Sequence, residues 1–144
     1  MSQTDDVFHV CLAGRKVSND WRLIQSLRSR CLVTLVERVE LLVQRSFLSR
    51  THLLVLDCSA SAELVPQVLP RLKEEFPDLC VVLVDGGLSQ KEIAAAFKEG
   101  VKDYFADPYD VELLLERIDS LGAQRETAHG VCRLRKEPST RDST

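Results

Sequence analysis

Short, almost wholly apolar runs alternate with amphipathic stretches along most of this chain. The runs are rich in residues that favour strands, and turn-forming or polar residues bound them. They predict five β-strands: Val7–Leu12, Cys31–Val36, Leu53–Leu56, Cys80–Val84 and Val101–Phe105. The third and fourth runs contain no polar residue, which is typical of strands buried on both faces of a sheet.

Apolar residues at helical spacing predict a helix after each strand. The first helix carries Trp21, Ile24 and Leu27 on one face, so Trp21 is expected to lie in the core. The other four predicted helices are Val39–Leu48, a segment within Glu63–Phe76, a helix that begins near Gln90, and a last helix that carries Val111, Leu114, Leu115, Ile118 and Leu121. Capping and stop signals support these limits: Ser18, Asn19 or Asp20 before the first helix, Ser89 with Glu92 at the fourth, Gly100 after it, and Asp110 before the last.

Regular alternation of strands and helices predicts an α/β fold with a parallel sheet that helices cover on both faces. In such sheets, ligands and chemistry gather at the carboxyl ends of the strands. The apolar period stops at Ala123 and the remaining residues are polar. We therefore expect one domain over residues 1–122 and a disordered tail or linker over residues 123–144.

Composition narrows the functional classes. The chain has 144 residues and a net charge of −3, so a basic field that would attract nucleic acid or a membrane surface is not expected. The apolar runs are too short to span a bilayer, which predicts a soluble, cytoplasmic protein. Five cysteines without a C-x-x-C pair predict free thiols, and three scattered histidines give no zinc spacing.

Two motifs resemble those of the bacterial response-regulator receiver domain. The stretch from Gly100 to Pro108 reads GVKDYFADP and resembles the family's G-x-x-D-Y-x-x-K-P, and the apolar run ending in Asp57 resembles the strand that carries the phosphoacceptor. The resemblance covers roughly residues 7 to 121. It implies a flavodoxin-like (CheY-like) doubly wound sheet of five strands with five helices, in the order 2-1-3-4-5.

The resemblance also assigns positions to the site. Asp57 takes the phosphoacceptor position, and Tyr104 takes that of the switch aromatic. The rest of the machinery is replaced: Ala13 and Gly14 stand where two acidic residues hold Mg²⁺, Asp85 where the family has Ser or Thr, and Asp107 where it has Lys. A simpler interpretation of Asp57 is an aspartate that caps a turn, and of Tyr104 a space-filling tyrosine.

These replacements put negative charge where an anion must bind. Two carboxylates about 6 Å apart at an effective dielectric near 20 repel by roughly 3 kcal/mol, so phosphorylation of Asp57 beside Asp85 and Asp107 is disfavoured. An alternative is that the three carboxylates form a new site for Mg²⁺ or Ca²⁺. Another is that one of them turns toward solvent.

The sequence therefore favours a pseudo-receiver that is not an enzyme, needs no cofactor and binds a signalling partner through its fourth helix, fifth strand and fifth helix. Homodimer formation stays open. The first alternative is an orthodox receiver phosphorylated on Asp57 with Mg²⁺. The second is a flavodoxin-like small-molecule binder, although no phosphate loop, catalytic triad or acid–base pair is present.

Overall fold

The computed structural model describes residues 7–43, 47–58, 64–85 and 87–128. Five strands alternate with four α-helices in this part of the chain. In chain order the elements are β1 (His9–Ala13), α1 (Trp21–Arg28), β2 (Leu32–Val36), β3 (Leu53–Asp57), α2 (Leu64–Glu75), β4 (Cys80–Asp85), α3 (Gln90–Lys98), β5 (Asp103–Ala106) and α4 (Val111–Ala128).

The strands form one parallel sheet in the order β2-β1-β3-β4-β5. This confirms the predicted flavodoxin-like topology. Every residue of β3 is buried, and Val81 to Val84 of β4 are buried as well. Their continuous apolar sequence is therefore explained by helices on both faces of the sheet.

Each face of the sheet carries its own core. On one face, α1 and α4 pack against the even-numbered positions of β1 and the odd-numbered positions of β3. On the other face, α2, α3 and the β2–β3 connection cover the alternate positions, including Cys11, Leu54 and Leu56. The period of two along each strand thus divides the apolar residues between the two layers of helices.

The predicted caps are confirmed. Asp20 accepts a hydrogen bond from Leu23 N at 3.1 Å, and Asp110 accepts one from Glu112 N at 2.9 Å. Ser89 and Glu92 form a complete capping box at α3. Gly100 follows that helix with a φ of +105°, a conformation that favours glycine and ends the helix.

The second predicted helix, Val39–Leu48, is wrong as an α-helix. The described parts of this segment form 3₁₀ turns at Val39–Val43 and Phe47–Arg50, and residues 44–46 lie outside the description. Leu42 and Leu48 are both fully buried. In a continuous α-helix two residues six positions apart point about 120° apart, whereas the two separate turns let both side chains reach the core.

The prediction that Trp21 lies in the core is also wrong, because its side chain is 60% exposed. The buried face of α1 is formed by Leu23, Ile24 and Leu27. Trp21 is the first residue of the helix and lies about a third of a turn away from the centre of that face.

The last helix, α4, continues to Ala128 and so passes the expected boundary after residue 122. Residues 129–144, most of the expected tail, lie outside the described residues. Among the residues that the structure describes, no helix is long and apolar enough to cross a membrane.

Candidate functional site

The residues singled out by the sequence converge on the carboxyl edge of the sheet. Asp57 ends β3 and pairs in register with Val84, while Asp85 ends β4 and pairs with Ala106, which directly precedes Asp107. Ala13 ends β1 beside β3. The backbone therefore brings Ala13–Gly14, Asp57, Asp85 and Asp107 to one edge, although the side chain of Asp85 lies outside the description.

Asp57 is held by the backbone of the β1–α1 loop. Its Oδ2 accepts hydrogen bonds from Lys16 N at 2.7 Å and Val17 N at 3.4 Å. The side chain is only 2% exposed. Asp57 therefore accepts hydrogen bonds that hold the loop after β1 in place. Backbone N–H groups that are shielded from water need such a partner.

Gly14 makes this contact possible. Its φ is +115°, and a Cβ at this position would lie 2.4 Å from Cβ and 2.8 Å from the carbonyl oxygen of Asp57. The amide of Gly14 donates to the carbonyl of Val36 at 2.8 Å. A residue without a side chain is therefore required for the loop to pass directly over the end of β3.

A cation that the sequence did not single out also lies at this edge. The ammonium of Lys16 donates a hydrogen bond to Oδ2 of Asp107, and the two side chains are partly exposed. Lys16 therefore adds a positive charge to the cluster of acidic residues that the sequence predicts at this edge. A sequence signal for this contact appears only when two distant positions are considered together: Lys16, two residues after Gly14, and the acidic residue at position 107.

A second contact joins the same two loops. The hydroxyl of Tyr109 donates to Oδ2 of Asp20, whose other oxygen caps α1. Partial burial, the bond to Asp20 and the nearby Asp57 and Asp107 carboxylates raise the pKa of the Tyr109 hydroxyl. Tyr109 therefore stays protonated and keeps donating over the whole physiological range.

Tyr104 lies in β5 opposite Leu83. Its partly buried side chain packs against the core on the α2–α3 face. This position is compatible with both interpretations of Tyr104, the switch aromatic and the space-filling tyrosine.

The side chains at this edge do not match the Mg²⁺ ligands that the resemblance to receiver domains implies. Ala13 and Gly14 offer no carboxylate at the end of β1, and the ammonium of Lys16 lies against Asp107. Among the side chains that the structure places, no group of three His, Cys, Asp or Glu could hold a metal ion. Hard divalent cations require several oxygen ligands, which the described residues do not assemble.

Two cavities bear on the small-molecule alternative. An apolar groove of about 130 Å³ lies between α2 and α3, and a polar cavity of about 270 Å³ is lined by residues such as Thr51, His52 and Asp78. Pockets for small molecules usually measure roughly 300–1,000 Å³. Neither cavity is lined by Asp57 or Asp107, so neither adds a ligand pocket to the candidate site.

Two of the described cysteines have thiols of raised pKa. Burial raises the pKa of Cys11 to about 12, and that of Cys31 to about 11. Both are therefore protonated at neutral pH. Cys58 and Cys80 are not part of a disulfide, and Cys132 lies outside the described residues.

No family model and no curated protein matches this chain. Solved structures match it well. A protein described as pilus-assembly-related, from Burkholderia pseudomallei K96243, is 26% identical with a TM-score of 0.63, and the match covers 83% of this chain and 92% of that one.

Two further neighbours are response regulators. The signal receiver domain of a Luxo repressor protein from Vibrio parahaemolyticus is 17% identical, with a TM-score of 0.73 and coverage of 89% and 99%. An atypical orphan response regulator is 19% identical, with a TM-score of 0.64 and coverage of 81% and 96%. The strand order and these neighbours agree: the chain has the fold of a response-regulator receiver domain.

Proposed function

We propose that this chain is a pseudo-receiver, a receiver-type domain that binds a signalling partner without phosphorylation of Asp57. The proposal rests mainly on the hydrogen bonds and the burial of the Asp57 carboxylate. Its Oδ2 accepts two backbone N–H groups, and its side chain is buried. A carboxylate that attacks a phosphoryl donor must be reachable by that donor, so this arrangement opposes the reaction.

The charges at the edge support the same role. Transfer of a phosphoryl group needs cations to neutralise its oxygens. Here the ammonium of Lys16 contacts Asp107, and by the resemblance Asp107 stands where the family has lysine. A phosphoryl group on Asp57 would meet a carboxylate where receivers present an ammonium.

A solved neighbour provides a precedent for such a role. The atypical orphan response regulator is described as revealing a phosphorylation-independent regulatory mechanism. We propose the same independence for this chain. No catalytic step and no cofactor is part of the proposal.

The partner surface that we propose is formed by α3, β5 and α4, the fourth predicted helix with the last strand and helix. Phe97 of α3 is 45% exposed and presents a large apolar side chain on this surface. The guanidinium Nε of Arg117 lies 3.0 Å from Oδ2 of Asp103 and ties α4 to β5. The surface thus combines an exposed aromatic anchor with a fixed frame, as binding sites for proteins commonly do.

The experiment is a binding titration with the partner captured from the native organism. Phe97→Asp should weaken binding by about tenfold or more, because it places a charge in a desolvated contact. Leu32→Asp is the matched control, since Leu32 is an equally exposed apolar residue on the opposite edge strand.

The same titration tests independence from phosphorylation. Asp57→Asn and treatment with acetyl phosphate and Mg²⁺ should both leave the affinity unchanged. Binding that increases with acetyl phosphate and is lost in Asp57→Asn would support the orthodox receiver instead.

A further inference from the structure

The strand β2 forms an open edge of the sheet. It is the first strand in the spatial order, and among the described strands it pairs with β1 alone. The amide of Leu32 donates to the residue before β1, and the carbonyl of Val36 accepts from the residue after β1. Because alternate residues of a parallel strand bond to the same neighbour, the N–H and C=O groups of Val33 and Leu35 point away from the sheet.

No charged residue lies within β2. The strand reads LVTLV, and Leu32 and Leu35 are 45% and 39% exposed. The opposite edge strand differs, since Asp103 of β5 forms an ion pair with Arg117, which also donates to the carbonyl of Lys102. Charged residues commonly protect edge strands, because their outward N–H and C=O groups otherwise pair with a further strand. The edge at β2 is therefore open to such pairing.

The flank of α1 beside β2 adds a second exposed surface. This helix has α4 on one side and β2 on the other. Arg22 contacts α4, and helical spacing turns Trp21 and Arg28, which are seven residues apart, to the flank away from α4. Trp21 is 60% exposed, and Arg28 is exposed as well. Leu35 lies on the same face of the sheet, since it pairs in register with Leu12 of the core beneath α1.

We propose that β2 pairs in antiparallel orientation with β2 of a second copy, so that the two sheets join into one. A two-fold axis perpendicular to the sheet then passes beside Thr34, which lies opposite itself. Val33 lies opposite Leu35, and the outward N–H and C=O groups of these two residues exchange hydrogen bonds. On the other face, Leu32 lies opposite Val36. This register sets apolar residues opposite apolar residues and threonine opposite threonine, which is a favourable cross-strand pair.

The flank of α1 favours a second copy over an extended peptide as the occupant. A peptide added to β2 brings no element above the sheet and would leave Trp21 exposed. A second copy brings its own α1 on the same face in the opposite direction, so that Trp21 meets Arg28 of the other copy, a contact between a cation and an aromatic ring. Stable interfaces bury about 800 Å² on each partner, and the five residues of β2 need this contribution from α1 to approach that area.

Sedimentation velocity and hydrogen exchange over a concentration series test the proposal. The wild type should shift from monomer to dimer, and the emission of Trp21, the single tryptophan, should shift to shorter wavelength over the same range. The amides of Val33 and Leu35 should become protected over that range, whereas the Leu32 amide already bonds to the residue before β1 and should be protected at every concentration. Phe97→Asp should dimerise like the wild type, because the proposed partner surface lies at the other edge of the sheet. The inference therefore does not depend on the proposed function.

Substitutions at Thr34 give the most specific test, because this exposed residue faces itself across the axis. Thr34→Lys and Thr34→Glu should each weaken the dimer by about fivefold, since like charges then lie directly opposite. An equimolar mixture of the two should associate more tightly than either variant alone, and circular dichroism checks that both are folded. A wild type that stays monomeric at all concentrations, a dimer whose Val33 and Leu35 amides stay unprotected, or a mixture no tighter than its components would overturn the proposal.

Discussion

The ammonium of Lys16 contacts the carboxylate of Asp107 across 91 positions of sequence. The first residue follows β1 and the second follows β5. The resemblance to receiver domains implies acidic residues at the end of the first strand and a lysine after the fifth, whereas this chain has Ala13 and Gly14 at the first place and Asp107 at the second. The contact of Lys16 with Asp107 joins the two loops through opposite charges.

A double-mutant cycle on Lys16→Met and Asp107→Asn measures this contact. Because both side chains are partly exposed, we expect a coupling free energy of about 0.5–1 kcal/mol in urea unfolding. Arg15→Met is the control, because its ion pair with Glu37 is long, at 3.9 Å, and exposed. If Asp107→Asn raised the thermal midpoint, repulsion among carboxylates would dominate and the contact would not be stabilising.

Asp57→Ala should lower the free energy of unfolding by about 1–3 kcal/mol. The substitution leaves the amides of Lys16 and Val17 without their acceptor. Asp57→Asn keeps a side-chain oxygen in nearly the same place and should cost less. Urea unfolding, with hydrogen exchange of the Lys16 amide, distinguishes the two, and equal losses would mean that these hydrogen bonds contribute little.

Gly14→Ala should destabilise the domain more than Gly100→Ala. Both residues have a positive φ, so each substitution should carry a backbone cost of about 1–2 kcal/mol. At Gly100 the new Cβ would meet only the flexible side chain of Lys73, at 3.2 Å. At Gly14 it would overlap Asp57, which should add about 1–3 kcal/mol. Urea unfolding measures the loss of stability in both variants. Equal losses would contradict the close approach of Gly14 to Asp57.

Tyr109 should make stability fall at alkaline pH. Its pKa is raised in the folded state, so the stability that it contributes is complete below the unfolded value near 10 and is lost as the pH rises above it. Thermal unfolding against pH should show a shallower alkaline loss in Tyr109→Phe. Tyr104→Phe leaves Tyr109 as the single tyrosine, so absorbance titration of that variant should show an ionisation above pH 10.

The sequence predicts the layers of this fold better than its connections. The apolar runs and caps locate all five strands and the helices that begin at Trp21, Gln90 and Val111, because burial on two faces and capping leave local signals. The connection between β2 and β3 carries the same apolar period as a helix. Its 3₁₀ turns depend on where Leu42 and Leu48 must reach in the assembled core, which no local pattern encodes.

The site shows the same limit. The position of Asp57 follows from the end of a buried strand, and Asp107 follows from its motif. Lys16 lies in a loop without periodic pattern, and its contact depends on the folded course of two loops far apart in sequence. The environment of Asp57 likewise depends on the backbone path after Gly14, which only the folded chain defines.

The most direct test of the central claim is exposure of the purified wild-type chain to acetyl phosphate and to beryllofluoride with Mg²⁺. A receiver domain with a complete set of acidic residues, Thr and Lys serves as the positive control in the same buffer. Intact mass should show no phosphorylated species, and the amide signals of Gly14, Lys16, Val17 and Asp57 should not shift. A phosphorylated species that maps to Asp57 and is absent from Asp57→Asn would contradict the account.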